Sequence, residues 1–241
     1  IRGNVLFVYY VHISRNTHMC HTILSSLHVY TNIHHYTEYN ESSLDHVDMT
    51  FLFKDVFIFL NSMSVNLIDI DNGKYMVSII ADDEYIGPNI AMGREWDGWM
   101  RDDIKTYYKE GTDILDIGAN IGYNTLMFSD YGPVASFEPV FHQIVAKNVK
   151  QNPIKHPVNV YTCALSNEQK VTEIFIPSHG CQSNTHINYG GTSFHLEGDM
   201  KGMAVEVPCE ILDDIYSGIP SIIKIDVEHH EMQVLEGAKE T

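Results

Sequence analysis

The segment Asp116-Ile-Gly-Ala-Asn-Ile-Gly122 constrains the fold more than any other stretch of the chain. It overlaps a short apolar run, Ile114-Leu-Asp-Ile117, and leads into Leu126, Met127 and Phe128. A buried strand that turns through glycines into a helix is a unit of an open parallel sheet. The alternation then continues. Residues 134–137 read as a second strand, and Pro139 opens a helix with Phe141, Ile144, Val145 and Val149 at helical spacing and Pro153 beyond its end. Residues 158–163 make a third strand. Residues 171–176 and 204–207 bracket a loop rich in Gly and Asn, and 222–225 form a further buried strand. A last helix over 228–238 directs Met232, Leu235 and Ala238 inward. Strand and helix repeating with short connections predict an α/β fold, a doubly wound and mostly parallel sheet covered on both faces.

Ahead of this core the pattern is different. Residues 1–50 show poor periodicity and form an N-terminal extension without an assigned role. Within it, Val5-Leu-Phe-Val-Tyr-Tyr-Val11 is a short apolar run like a leader core, without a small-residue cleavage site. Residues 51–110 lead into the core. They hold an apolar run at 51–60, then 65–70 and 74–80 flanking Asp71-Asn72-Gly73, a β-hairpin whose Asn-Gly accepts positive φ at both central positions. Residues 90–108 read as one helix with Trp96, Trp99, Met100 and Ile104 on one side, ended by Gly111. The core domain is 111–241. The chain starts at Ile1 rather than Met, which reads as part of something longer.

Composition narrows the partners. With 241 residues and 44% apolar side chains the chain can bury a sizeable core. Its 32 acidic against 15 basic residues give a net charge of −17, and no Lys/Arg run interrupts that excess. Such a surface repels phosphate backbones, so nucleic acid is not an expected partner. No 18-residue apolar stretch predicts a membrane span. Cys20, Cys163, Cys181 and Cys209 are far apart and form no Cys-x-x-Cys pair, which reads as free thiols in a reducing compartment, hence the cytoplasm. Fourteen histidines scatter without ligand spacing, and no metal site is expected.

Open parallel sheets bind ligands beyond the carboxyl ends of their strands. Four features fall there. Gly118 and Gly122 follow the first strand, where backbone can approach a ligand and the helix N-terminus offers N–H groups. Glu138 ends the second strand 20 residues after Gly118, a place from which an acid can accept both ribose hydroxyls of an adenosine. Ala164-Leu-Ser166 follows the third strand and leaves room for a flat base. Asp226 and Glu228 end the later strand. Each has a plainer alternative: a tight turn, a solvated acid, or acids that offset a helix dipole. Their common position at one edge favours a site. Asn120 stands where a dinucleotide site needs its second glycine, and no phosphate-cradling Gly-x-x-x-x-Gly-Lys-Ser/Thr is present, so a compact zwitterionic nucleoside fits better than a dinucleotide.

These residues resemble the FkbM-type methyltransferases. Asp116-Ile-Gly-Ala-Asn-Ile-Gly-Tyr-Asn-Thr125 is similar to the family's first cofactor motif and Phe137-Glu-Pro139 to its ribose segment. Ala164-Leu-Ser166, Gly190-Gly-Thr-Ser193 and Leu212-Asp-Asp214 fall where the family has short blocks, and Ile223-Lys-Ile-Asp-Val-Glu228 with Glu231 and Val234-Leu-Glu-Gly237 is similar to its later signature. The resemblance spans about residues 82–241. It implies a class I, Rossmann-like methyltransferase fold and S-adenosylmethionine-dependent O-methylation of a hydroxyl on a sugar, polysaccharide or other small acceptor. It implies that Asp116, Gly118, Asn120 and Gly122 hold the methionine part and Glu138 the ribose, with Ala119, Tyr123, Asn124, Ala164 and Leu165 also among the cofactor-binding residues. Asp226, Glu228 and His229 are then the candidate catalytic residues. Class I enzymes typically have seven strands, so the sheet reads as cut short at the C-terminus. His229 stands where the family has glycine; it and His230 either narrow the acceptor pocket, act as base, join Asp226 and Glu228 at a metal, or only decorate a helical turn. Competing readings are a non-catalytic module that keeps the cofactor pocket, and a nicotinamide-dependent oxidoreductase, against which Asn120 argues.

Overall fold

The computed structural model describes residues 5–8, 65–178, 186–195 and 201–241. The apolar run at 51–60, most of the N-terminal extension, Cys20 and Cys181 lie outside them. A five-stranded sheet of β1 (Val5–Val8), β4 (Asp113–Ile117), β5 (Val134–Phe137), β6 (Val158–Tyr161) and β10 (Pro220–Ile225) forms the centre, in the order β1-β10-β4-β5-β6. Every neighbouring pair in it is parallel. The run at Val5–Val8 is thus a strand, in register with Ile222–Ile225 of β10. It is the edge strand beside β10.

Three strands show why the sheet is buried on both sides. Ile114, Val134 and Ile222 point into an apolar cluster with Met100, Ile104, Met127 and Phe128. Leu115, Ile117, Ala135, Phe137, Ile223 and Ile225 point the other way, against Leu212, Tyr216 and Val234. Alternate residues of each strand serve opposite faces, and both faces are apolar, as the near-continuous apolar runs require.

Helices α1 (Ile86–Ala91), α2 (Met100–Tyr107), α3 (Tyr123–Phe128), α4 (His142–Lys150), α5 (Leu212–Ile215) and α6 (Glu231–Glu236) are short. The helix read over 90–108 is therefore two. Gly93 at φ 74° and Asp97 at φ 51° reverse the chain between them, Trp99 is 50% exposed, and α2 ends before Gly111 is reached. The last helix is also shorter than read, and Met232 faces solvent at 65% exposure while Val234 is buried.

Strands β2 (Leu67–Asp71) and β3 (Met76–Ile80) pair antiparallel. Their turn has four residues, Asn72, Gly73, Lys74 and Tyr75, rather than the three of Asp71-Asn72-Gly73. Among its residues Gly73 has positive φ, and Asn72 instead accepts from the Lys74 and Tyr75 N–H groups through Oδ1 at 3.1 and 2.9 Å. The free edge of β3 is covered by α4. Asn152 and Asn148 exchange hydrogen bonds with the Met76 and Ser78 backbone, at 2.6 to 3.1 Å, in place of a neighbouring strand.

The third central strand stops at Tyr161, earlier than expected. β7 (Ala164–Leu165), β8 (Lys170–Pro177) and β9 (Gly202–Glu210) form a separate sheet, with β8 and β9 antiparallel. Residues 171–176 and 204–207 thus belong to a hairpin beside the core and not to the parallel alternation. Among the described residues no helix is long and apolar enough to cross a membrane.

Candidate functional site

The polar residues inside the apolar strands fall in one row. Lys224 of β10 is in register with Asp116 of β4, and Asp116 with Ser136 of β5. All are buried. Lys224 Nζ lies 3.0 Å from Asp116 Oδ1 and 3.8 Å from Asp226 Oδ2, and it donates to the Gly118 carbonyl at 2.7 Å. Thr125 Oγ1 of α3 donates to Asp116 Oδ2 at 2.6 Å and lies 2.9 Å from Ser136 Oγ. Burial pulls the Lys224 pKa down, but Asp116 and Asp226 outweigh it and hold the ammonium charged.

The turn after β4 is shaped by close approach. Gly118 has φ 79°, and a Cβ there would run into the Asp226 carbonyl oxygen. Gly122 has φ 83° and packs against Val145, so neither position admits another side chain without movement. Between them Asn120 is also left-handed, at φ 53°. Its N–H donates to Glu138 Oε2 at 2.8 Å, and its Nδ2 donates to the Tyr189 carbonyl at 3.3 Å. Ala119 and Tyr123 are buried, and the Tyr123 hydroxyl accepts from Asn72 Nδ2 of the β2–β3 turn.

Glu138 is buried at the end of β5. Its Oε1 accepts from the Val140 and Phe141 N–H groups at 2.9 and 3.0 Å, so the carboxylate also starts α4. Burial pushes its pKa up, and the three backbone N–H groups oppose that. Its Oε2 keeps acceptor capacity beyond the single bond from Asn120.

Asp226 leaves β10 with 27% of its side chain exposed. Burial of the charge raises its pKa to about 6, against the pull of Lys224, and Asp97 adds to the rise. Glu228 and His229 follow in left-handed conformations, φ 48° and 72°, and form the tight turn before α6. That turn is held from behind: Glu231 Oε1 accepts from the Val227 and His229 N–H groups, both at 3.3 Å. His229 is exposed, whereas His230 is buried, stacks on Phe194 with ring centres 3.9 Å apart, and places Nε2 3.0 Å from Ser166 Oγ. Burial lowers the His230 pKa to about 4, so this ring is neutral at pH 7.

Asp116, Gly118, Asn120, Gly122 and Glu138 therefore gather at one sheet edge, with Asp226 beside Lys224. Ala164 and Leu165 lie in β7 and are buried in apolar clusters on opposite sides. Asn124 is buried in α3 and donates to Asp97 Oδ2 at 3.0 Å. Four participants escape a reading by spacing alone: Lys224, Thr125, Ser136 and Asp97. For Lys224 and Ser136 a signal exists, since each is a polar residue interrupting an apolar strand, as Asp116 is. Among the described residues no cluster of three or more His, Cys, Asp or Glu side chains is arranged to hold a metal ion.

Comparison with known proteins bears on this edge. No curated protein matches the chain. Among solved structures it is similar to methyltransferase FkbM from Methylobacillus flagellatus KT, with 18% identity and a TM-score of 0.34 over 56% of this chain and 32% of that one. The chain thus spans about a third of the length of that protein. The family model for the methyltransferase FkbM domain matches residues 116–241, more than half of the chain, beginning at the aspartate of the polar row. The chain belongs to the methyltransferase FkbM domain family.

Proposed function

We propose that the chain is an S-adenosylmethionine-dependent O-methyltransferase domain acting on a hydroxyl of a sugar, polysaccharide or other small acceptor. The observation that carries this reading is the 2.8 Å bond from Asn120 N–H to Glu138 Oε2, which joins the glycine turn of β4 to the acid of β5 at one edge. Glu138 is an acceptor with spare capacity, suited to ribose hydroxyls. Asp116, Asp97 and Asp226 outnumber Lys224, a balance suited to a ligand bearing positive charge. The residues present fit the cofactor. Two buried free thiols, Cys163 and Cys209, agree with a reducing, cytoplasmic setting.

Bound S-adenosylmethionine supplies a methyl group on a sulfonium, open to in-line displacement by an acceptor oxygen. The chain's contribution is alignment and removal of the hydroxyl proton. Asp226 is the best-placed base, because it combines partial exposure with a pKa of about 6 and is ionised at neutral pH. Glu228 and His229 line the adjoining turn and serve in holding the acceptor.

Calorimetric titration with S-adenosylmethionine, S-adenosylhomocysteine and NAD tests the reading. Uptake of the two adenosyl compounds and not of NAD is the expected result; uptake of NAD alone, or of none, would sink it. Glu138→Gln keeps the shape of the side chain and is expected to weaken adenosyl binding about tenfold. Methyl transfer to a panel of glycans then identifies the acceptor.

A further inference from the structure

Asp97 lies between α1 and α2, outside the residues matched by the family model. Its left-handed backbone, φ 51°, turns the carboxylate toward α3, where Oδ2 accepts from Asn124 Nδ2 at 3.0 Å. Its charge acts on both Lys224 and Asp226. Asn124 is 6% exposed, and the other end of its amide, Oδ1, is buried without a hydrogen-bond partner among the described residues. Leaving an amide oxygen in that state is unfavourable, and a donor relieves it. A carboxylate and an unsatisfied oxygen thus flank the two ends of one amide. The other charges do not satisfy them: Lys224 stands closest to Asp116 and the Gly118 carbonyl.

We propose that Asp97 and Asn124 together recognise a primary ammonium, the α-ammonium of the methionine portion of the cofactor. Asp97 supplies the charge, and Asn124 Oδ1 accepts a hydrogen bond. The proposal rests on the cofactor reading above and extends the site to a residue contributed by the segment before the matched domain.

The test is calorimetry on the full chain with S-adenosylhomocysteine and with 5′-methylthioadenosine, which keeps the adenosine and thioether but has no amino-acid part. Asp97→Asn removes the charge, tolerates the same φ and still accepts from Asn124 Nδ2, and thermal unfolding checks that the fold is kept. Binding of S-adenosylhomocysteine is expected to weaken about tenfold or more, and that of methylthioadenosine to change by less than about twofold. Equal loss for both ligands assigns Asp97 a purely structural role and overturns the proposal, as does no loss for either. A wild-type chain that binds neither nucleoside overturns the cofactor reading and this proposal with it. Wild-type binding of S-adenosylhomocysteine that survives Asp97→Asn overturns this proposal alone.

Discussion

Lys224 is buried away from solvent, and three neighbours stabilise its charge: a carboxylate, a backbone carbonyl and, at longer range, Asp226. Replacing it with methionine leaves Asp116 buried and unpaired, which is expected to cost about 3–5 kcal/mol of stability in urea unfolding. Asp226 lends itself to a pH test. Its pKa is raised to about 6, mainly by burial, so turnover limited by this base rises as pH increases through about 6 and then levels. The folded state also holds this proton more tightly than the unfolded one, so this residue's contribution to stability falls over the same interval. Asp226→Asn is expected to abolish turnover while leaving S-adenosylhomocysteine affinity nearly unchanged; full turnover in the variant would remove Asp226 as the base. The glycines and Glu138 are readable from spacing because a turn and a strand end fix where they fall. Asp97 is not readable in that way, since its left-handed conformation lies in an irregular segment and its partner, Asn124, is 27 positions away.

At the scale of elements, the strands of the parallel core are visible in the sequence because both faces need apolar residues, which leaves short runs bounded by turns. Helix lengths are less visible. Residues 92–99 carry enough apolar side chains to continue a helical pattern, yet Gly93 and Asp97 turn left-handed and break it. The antiparallel β8–β9 pair also escapes, because pairing partners across a long connection leave no local mark in either strand. The β4–α3 turn is the element with the least freedom. Both positions impose a strained φ; Gly118→Ala in addition meets the Asp226 carbonyl, whereas Gly122→Ala meets the Val145 side chain and its Cα. Each is expected to destabilise, Gly118→Ala by about 1–3 kcal/mol and more than Gly122→Ala, measured by thermal unfolding.

Across the whole molecule, residues 65–110 are fastened to the core by polar contacts that are buried or part-buried. Tyr75 donates to Asp130 at 2.5 Å and Arg101 reaches Asp130 at 3.1 Å, while Lys155 of the core itself lies 3.2 Å from its other oxygen. Burial pushes the Asp130 pKa up, but these partners prevail and hold it at about 2. Its stabilisation is therefore complete above the ordinary carboxylate range and is lost as pH falls through about 2. Asp130→Asn should lower the urea midpoint at pH 6 and flatten its fall in acid, where an unchanged acid profile would exclude this anchor. The same fastening runs through Asn72 to Tyr123 and Ser78 to Asn148. Its consequence concerns recombination between relatives. A chimaera that joins the hairpin of this chain to another protein's sheet inherits a mismatched seam unless Tyr123, Asp130 and Asn148 travel with the hairpin.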